Sequence, residues 1–327
     1  MLPSFSIVRP TSLEEALSQL SAGDARIHGG GTDLLGCLHD GVFATPRVVS
    51  LSRVQELRGI TRTADGGLRI GALTTISELI ANRDVADRYR ALHQAAQVVA
   101  SPQLRNQGTL AGNLCQKPRC WYYRGEFRCL RKGGERCFAY EGENQYHCIF
   151  GGDMCYIVHP SDTAPALAAL GAVCRVSGPN SSRSVAVDAL HVRPSEDPHR
   201  ETVLEPDEIL TEIVLPPPAA GTRSSYRKVR PRASWNFALA GVALALRFDG
   251  PVVADARVFL SGAAPVPWRA AGVEQAIVGR ALDAATIAAA AEAVVAGAEP
   301  LSKNGYKLPL FRGLITDELE KIAARSV

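Results

Sequence analysis

Residues 25–33 read Ala-Arg-Ile-His-Gly-Gly-Gly-Thr-Asp, a short strand followed by three glycines, a hydroxyl and a carboxylate. Glycines let backbone N–H groups converge closely on phosphate oxygens, which forms an anion-binding nest. A β-carbon at Gly30 is therefore expected to obstruct the approach of a phosphate. Taken alone, the motif is explained equally well by a tight turn between a strand and a helix.

A second glycine-rich loop favours the phosphate interpretation. Residues 101–114 read Ser-Pro-Gln-Leu-Arg-Asn-Gln-Gly-Thr-Leu-Ala-Gly-Asn-Leu and follow an amphipathic stretch at residues 89–100. Two separated glycine loops with hydroxyl and amide donors suit a dinucleotide diphosphate better than a single turn does. Neither loop fits the GxGxxG or GxxxxGK[ST] fingerprint, so a Rossmann dinucleotide fold and a P-loop nucleotidase are both poor interpretations.

Six of the eight cysteines lie between Cys115 and Cys155. Four of them stand in a stretch rich in Gly, Arg and Tyr that looks unable to form an ordinary core: Cys120, Cys129, Cys137 and Cys155. Four thiolates brought together from a loop are the usual protein ligands of an iron-sulfur cluster or of zinc. The absence of close CxxC pairs favours iron and sulfur, while zinc and disulfide bonds are the alternatives.

The other cysteines receive different interpretations. Cys37 and Cys174 stand beside apolar residues far from the cluster in sequence, which is typical of small packed side chains. Cys148 lies within the cysteine-rich stretch and is a candidate substitute ligand.

Composition excludes several classes of protein. The chain has 327 residues, 46% of them hydrophobic, and a net charge of +3, which indicates a globular protein of two or three domains without a general polyanion-binding surface. We therefore expect no nucleic-acid partner. The N-terminus has neither a signal pattern nor a long apolar span, so we expect no membrane insertion. A cytoplasmic location is expected, or a periplasmic one if the chain is exported with a signal-bearing partner.

The periodicity of apolar residues and the positions of proline predict the organisation of the chain. We expect helices at residues 12–20 and 281–296, and strands at residues 172–176, 184–187, 209–215, 238–248 and 256–260. Pro216, Pro217 and Pro218 would end a strand and stiffen a linker, which places a domain boundary there. The predicted domains are residues 1–218, with an insertion at 115–157, and residues 219–327.

The motifs together resemble the FAD-binding subunit of the heterotrimeric molybdenum hydroxylases, the xanthine dehydrogenase family. Their order along the chain carries the resemblance, which covers nearly all of it: GGGTDLL at 29–35, LRNQGTLAGNL at 104–114, HPSD at 159–162, YRKVRPRAS at 226–234 and NGYK at 304–307. The insertion narrows the resemblance to a subgroup with an extra [4Fe-4S] cluster. It is most similar to periplasmic-type aldehyde oxidoreductases and next to the flavin subunit of 4-hydroxybenzoyl-CoA reductase.

The resemblance implies a fold and a set of site residues. The fold would be α+β, with a two-subdomain FAD-binding unit of the PCMH type followed by a sheet-and-helix domain like the C-terminal domain of CO dehydrogenase flavoprotein. Asp162 would bond a hydroxyl of the cofactor, and Lys228 would approach the flavin. The FAD diphosphate and its flanking sugar alcohols would be held by Gly29, Gly30, Gly31, Thr32, Asp33, Thr109, Gly112 and Asn113. The cluster ligands would be Cys120, Cys129, Cys137 and Cys155.

The resemblance also implies a role as electron outlet. A large molybdopterin-containing subunit would oxidise the substrate, and a small subunit with two [2Fe-2S] clusters would pass electrons to FAD. The extra cluster would exchange electrons with a ferredoxin or another external acceptor, or brace the loop. Alternatives are an aroyl-CoA reductase fed by ferredoxin, a xanthine or N-heterocycle dehydrogenase, and a cluster-stabilised scaffold without flavin chemistry.

Overall fold

The computed structural model describes residues 2–324, and the first of its three sheets is small and parallel. Its strands pair in the order β1-β3-β2, and two helices connect them. The strands are β1 (Ser6–Val8), β2 (Ala25–His28) and β3 (Arg47–Ser50), and the helices are α1 (Leu13–Ser21) and α2 (Leu34–His39). Ser12 caps α1, because its side chain accepts a hydrogen bond of 3.2 Å from the backbone N–H of Glu15.

The second sheet is antiparallel and has five strands in the order β4-β5-β8-β6-β7. The strands are β4 (Ile60–Arg62), β5 (Leu68–Gly71), β6 (Val173–Ser177), β7 (Ser182–Ala186) and β8 (Ile209–Leu215). Its helices are α3 (Ile76–Ala81), α4 (Arg83–Arg88), α5 (Arg90–Gln97), α6 (Pro102–Gln107), α7 (Leu110–Leu114), α8 (Trp121–Arg124) and α9 (Thr163–Ala169). Helices α3, α5 and α9 share the largest apolar core of the chain with this sheet.

The third sheet is antiparallel, with four strands in the order β12-β11-β10-β9. The strands are β9 (Thr222–Val229), β10 (Ala240–Asp249), β11 (Val252–Ser261) and β12 (Trp268–Arg269). Three helices cover it: α10 (Ala271–Ile277), α11 (Ala284–Ala293) and α12 (Lys307–Ala324). Tyr226, Ala243 and Phe259 from this sheet pack into the core of the five-stranded sheet, so the two sheets share buried surface.

The predicted elements correspond closely to the observed ones where the apolar pattern is strong. Strand β8 occupies the predicted residues, and the alanine-rich helix α11 is shorter at both ends than predicted. Helices α6 and α7 were not predicted within the second glycine loop, because their caps, Ser101 and Thr109, stand among turn-forming residues. The prolines lie between β8 and β9, which belong to different sheets; the predicted division after residue 218 falls there and stays a prediction.

The cysteine-rich segment is anchored in the C-terminal core, which corrects the expectation that it could form no ordinary core. Ile149 and Phe150 are buried among the apolar residues of the third sheet and its helices. The backbone N–H of Ile149 donates to the carbonyl of Ala263 at 2.8 Å. The ring of Phe150 stacks on Trp268 with 5.0 Å between centroids. The insertion is therefore fixed at its C-terminal half by packing.

Candidate functional site

The two glycine loops lie in direct contact. A β-carbon at Gly30 would stand 1.8 Å from the carbonyl oxygen of Gln107, and one at Gly29 would stand 3.0 Å from Oγ1 of Thr109. Gly31 has φ +75°, a conformation that favours glycine. The contact with the second loop by itself requires glycine at Gly30, and the approach of a phosphate there stays a prediction.

Thr109 organises the second loop. Its Oγ1 accepts a hydrogen bond of 3.2 Å from the backbone N–H of Gly112, which caps α7. A β-carbon at Gly112 would lie 2.9 Å from the same oxygen. The next backbone N–H, that of Leu110, donates to the carbonyl of Thr74 at 2.8 Å. The loop is therefore held to the sheet beneath it before any ligand binds.

A cavity of about 270 Å³ collects most of the predicted cofactor residues. Seven of the ten line it: Thr32, Asp33, Thr109, Gly112, Asn113, Asp162 and Lys228. Gly29 lines a neighbouring cleft, while Gly30 and Gly31 line neither the cavity nor the cleft. The role of each of these residues in cofactor binding stays a prediction.

Asp162 and Lys228 form a buried ion pair on the wall of this cavity. Lys228 Nζ lies 2.7 Å from Oδ2 of Asp162, and the two side chains are 1% and 5% exposed. The hydroxyl of Tyr226 donates to Oδ1 at 2.8 Å. Burial, and then the nearby carboxylate, raises the pKa of Tyr226 well above its ordinary value, so the hydroxyl stays a donor. Asp162 and Lys228, predicted to meet the cofactor separately, are therefore partners of each other.

Asn113 is oriented by the HPSD segment. Its Oδ1 accepts hydrogen bonds from Oγ of Ser161 at 2.6 Å and from Oγ1 of Thr163 at 2.7 Å. Ser161 also caps α9, because its Oγ accepts from the backbone N–H of Ala164 at 2.9 Å. These bonds hold the Asn113 amide in one orientation at the cavity wall.

The first residue of this segment, His159, belongs to a buried pair of histidines. Its ring centroid lies 4.1 Å from that of His191, and Nε2 of His191 lies 3.0 Å from the carbonyl of Leu114. Burial lowers the pKa of His191 to about 4, and burial together with His191 lowers the pKa of His159 well below its ordinary value. Both rings are therefore neutral at physiological pH.

Asp33 ties the first glycine loop to the cysteine-rich insertion, a role that the sequence did not predict. One carboxylate oxygen accepts from the backbone N–H of Lys117 at 2.7 Å. The other lies 2.9 Å from Arg119 and 2.8 Å from Arg124. Nε of Arg119 is buried without a hydrogen-bond partner at the cavity wall. An unsatisfied buried donor and a positive charge at this position suit a bound anion such as a diphosphate.

A second cavity of about 260 Å³ adjoins the first. The two share Arg119, Pro160, Asp162, Asn236 and Phe237. The second extends toward Cys120, Trp121 and His147. Together the two adjoining cavities offer room for an extended ligand.

The four cysteines predicted as ligands line one further cavity. Its wall consists of Cys120, Tyr122, Tyr123, Cys129, Leu130, Arg131, Cys137, Phe138, Cys155 and Ile157. Cys148 is buried outside this wall, and Cys37 and Cys174 are fully buried elsewhere. Within residues 2–324, no three His, Cys, Asp or Glu side chains converge as they would around a single metal ion.

Neighbouring side chains in the cysteine cavity shift each other's pKa values. A hydrogen bond with Cys155 lowers the pKa of Cys137 to about 7, and the same contact and burial raise that of Cys155. His147 Nε2 lies 3.3 Å from Sγ of Cys120. Cys120 lines both this cavity and the second one, so the two cavities are neighbours.

Several residues of the site were not predicted from the sequence. Three of them stand in the cysteine-rich segment, where no motif identifies them: Arg119, Arg131 and His147. Tyr226 stands within a motif that was recognised, but its contact with Asp162 joins residues 64 positions apart. Such a contact depends on the pairing of sheets and not on local spacing.

Comparisons with known proteins agree with this geometry. The family described as the FAD binding domain in molybdopterin dehydrogenase matches residues 3–218, and the CO dehydrogenase flavoprotein C-terminal domain matches residues 224–322. The chain is 35% identical to the aldehyde oxidoreductase FAD-binding subunit PaoB of Escherichia coli K12, over 97% of each chain. It is 29% identical to the carbon monoxide dehydrogenase medium chain of Hydrogenophaga pseudoflava, covering 91% of this chain and 88% of that one.

A solved structure shows the same architecture over the whole length. Quinoline 2-oxidoreductase from Pseudomonas putida 86 matches with a TM-score of 0.79 and 26% identity, over 100% of this chain and 99% of that one. The predicted α+β fold, with an FAD-binding unit and a CO dehydrogenase flavoprotein-like C-terminal domain, is confirmed. The chain belongs to the family of FAD-binding subunits of the molybdenum hydroxylases, and it is an oxidoreductase subunit.

Proposed function

We propose that this chain is the FAD-binding and iron-sulfur subunit of a molybdenum-dependent aldehyde oxidoreductase. The observation that carries the finer part of the proposal is the cavity lined by Cys120, Cys129, Cys137 and Cys155, which adjoins the flavin-binding cavities through Cys120. The similarity to the aldehyde oxidoreductase subunit PaoB supports the substrate class.

The residues around the first cavity fit FAD. FAD, when bound, supplies a centre that accepts and releases electrons singly or in pairs. Residues 32–33, 108–109 and 112–113 line this cavity and would hold the diphosphate, with Arg119 supplying positive charge beside it. Lys228 would approach the flavin. Asp162 orients Lys228, while each of its oxygens keeps a second lone pair for a ligand hydroxyl.

The arrangement of the four cysteines favours a four-iron cluster over a zinc ion. Four zinc ligands must converge within about 2.3 Å of one point. Four cysteines that surround a cavity without such convergence suit a cubane, whose four iron atoms each take one thiolate. When bound, a [4Fe-4S] cluster supplies a one-electron centre. Tyr122, Phe138 and Ile157 line the same cavity and would exclude water from the sulfurs.

Partners follow from the same proposal. The substrate would be oxidised in a large molybdopterin-containing subunit, and a small subunit with two [2Fe-2S] clusters would relay electrons to the flavin. A ferredoxin or another external acceptor would take them onward. No helix within residues 2–324 has the length and apolarity needed to cross a membrane.

Cysteine variants test the cluster assignment. We expect Cys137→Ser to lose most of the iron and sulfide of the anaerobically purified chain, because one of four thiolates is missing. The matched control is Cys148→Ser, also within the insertion, which should keep them because Cys148 lies outside the cavity wall. Iron and acid-labile sulfide analysis decides the matter. A chain that takes up zinc alone, or one in which both variants behave alike, contradicts the proposed cluster.

A further inference from the structure

The side chain of Arg131 lies on the wall of the cysteine cavity and is only 1% exposed. A fully buried guanidinium is uncommon in proteins and is normally satisfied on every side. Arg131 follows Cys129 by two residues and lies in a short 3-10 helix, Leu130–Lys132.

Only one of the three guanidinium nitrogens has protein partners. Nη1 donates to Oε1 of Glu201 at 2.8 Å and to the carbonyl of Arg200 at 3.2 Å. Nε and Nη2 are buried without a hydrogen bond of normal geometry, and the side chain of Cys155 lies near the guanidinium. Leaving such donors unsatisfied is unfavourable, and more so for a charged group, so their position requires an acceptor.

The charges around Arg131 favour an anionic acceptor on the cysteine side. Glu201 forms an ion pair with Nη1 of Arg131 at 2.8 Å. Glu201 is shared, because Lys117 also forms an ion pair with it. One carboxylate therefore faces two cations, and a net positive charge stands beside the cavity.

We propose that Arg131 donates its Nε and Nη2 hydrogens to sulfur atoms of the cluster on the Cys155 side and thereby raises the reduction potential of the cluster. This inference rests on the proposed function, since it requires a cluster in the cavity. Reduction adds one electron to the cluster and no proton, so the reduced form carries one more negative charge. A buried cation stabilises that form more than the oxidised one, and hydrogen bonds to sulfur act in the same direction.

The experiment is an EPR-monitored redox titration of the full-length chain, purified anaerobically, with dithionite as the electron donor. Arg131→Gln removes the charge and shortens the donor, and we expect at least a tenfold fall in the equilibrium constant for one-electron reduction, about 59 mV. Arg131→Lys keeps the charge without the planar fork, so its potential should lie between those of the wild type and of Arg131→Gln. Arg128→Gln is the matched control, since it removes the same charge from an exposed position of the same segment.

Glu201→Gln should shift the reduction potential in the opposite direction to Arg131→Gln. It removes a negative charge beside Arg131 and leaves the guanidinium in place, so the potential should rise. A merely structural role for Arg131 would loosen the segment in both variants and shift both potentials in the same direction. If Arg131→Gln loses its iron, Arg131→Lys decides, because it keeps the charge without the planar fork, and a potential equal to that of the wild type overturns the proposed hydrogen bonds.

The outcomes separate the two proposals. A wild-type chain without iron and sulfide overturns the proposed cluster and this inference with it. A wild-type chain that contains the cluster, with a potential unchanged in Arg131→Gln or lowered in Glu201→Gln, overturns only the role of Arg131. Opposite shifts in the two variants, with the control unchanged, support it.

Discussion

The α-carbon of Gly30 packs against the carbonyl group of Gln107, where a side chain does not fit. We expect Gly30→Val to force the two glycine loops apart, which lowers the stability of the fold by about 1–3 kcal/mol and also releases FAD. Flavin absorbance after gel filtration and thermal unfolding measure the two effects.

The control for this variant is Gly313→Ala in α12, where an added β-carbon meets no atom within 4 Å. It should keep its flavin and unfold at a temperature no lower than that of the wild type. A Gly30→Val chain with full flavin occupancy and unchanged unfolding would show that the loops are not in the contact described.

The buried pair His159 and His191 predicts a dependence of stability on pH. Burial lowers the pKa of His191 to about 4 in the folded chain, against 6.5 for an exposed histidine. Between these two pKa values the unfolded chain binds more protons than the folded chain. Stability is therefore lost as the pH falls from about 6.5 to about 4. His191→Gln keeps a donor for the carbonyl of Leu114 and cannot titrate.

We expect a weaker loss of stability for His191→Gln between pH 7 and pH 5, measured by urea unfolding against the wild type. His39→Gln serves as control, because the side chain of His39 is 67% exposed. Parallel pH profiles for His191→Gln and the wild type would be inconsistent with a neutral buried ring at this position.

At the scale of elements, the NGYK motif anchors the insertion. Nδ2 of Asn304 donates to the carbonyls of His147 and Cys148 at 3.1 and 3.0 Å. Lys307 Nζ donates to the carbonyls of Gly262 at 2.6 Å and Tyr146 at 3.3 Å. The motif thus joins the start of α12 to the segment that follows the third cysteine of the cavity.

Removing the Asn304 amide should loosen the insertion and leave the flavin site intact. We expect Asn304→Ala to leave two buried carbonyls unsatisfied, at about 1–3 kcal/mol, and to lose iron faster in the presence of a chelator. Tyr306→Phe is the control, since Tyr306 is 39% exposed and its hydroxyl makes one bond to the carbonyl of Gln145. Equal rates of iron loss for Asn304→Ala and the wild type would refute the anchoring role.

The elements also show where sequence was informative. Strand β8 and helix α1 follow from apolar periodicity and a cap, both of which are local signals. The cavity residues followed from motifs, but the pairing of Asp162 with Lys228 and of Asp33 with Arg119 did not. These partners lie 66 and 86 positions apart, and only the arrangement of sheets brings them together.

At the scale of the whole molecule, the family and the contents of the cavities predict what the chain does alone. We expect the isolated chain to reduce no artificial acceptor with aldehydes, because its described residues offer a flavin site and a cysteine cavity and its family separates substrate oxidation from electron outlet. Activity should return in a complex that contains molybdenum and a two-iron cluster subunit.

Acceptor-reduction assays with aldehydes and with aroyl-CoA thioesters distinguish the proposed substrate class from its alternative. Bleaching of the flavin band after aldehyde addition to the complex is the control that links oxidation to this chain. Aldehyde turnover by the chain alone, or purification of the chain from native extract without partners, would contradict its role as an electron outlet.

The contact of Asn304 with the carbonyl of His147 joins residues 157 positions apart. At a synthesis rate of about 5–20 residues per second, the anchor leaves the ribosome roughly 8–30 s after the cysteines do. During that interval the thiols are not yet enclosed by the C-terminal sheet and helices. Delivery of iron and sulfide to the proposed cluster would therefore have a time window set by translation, and a slow codon run between the two segments would lengthen it.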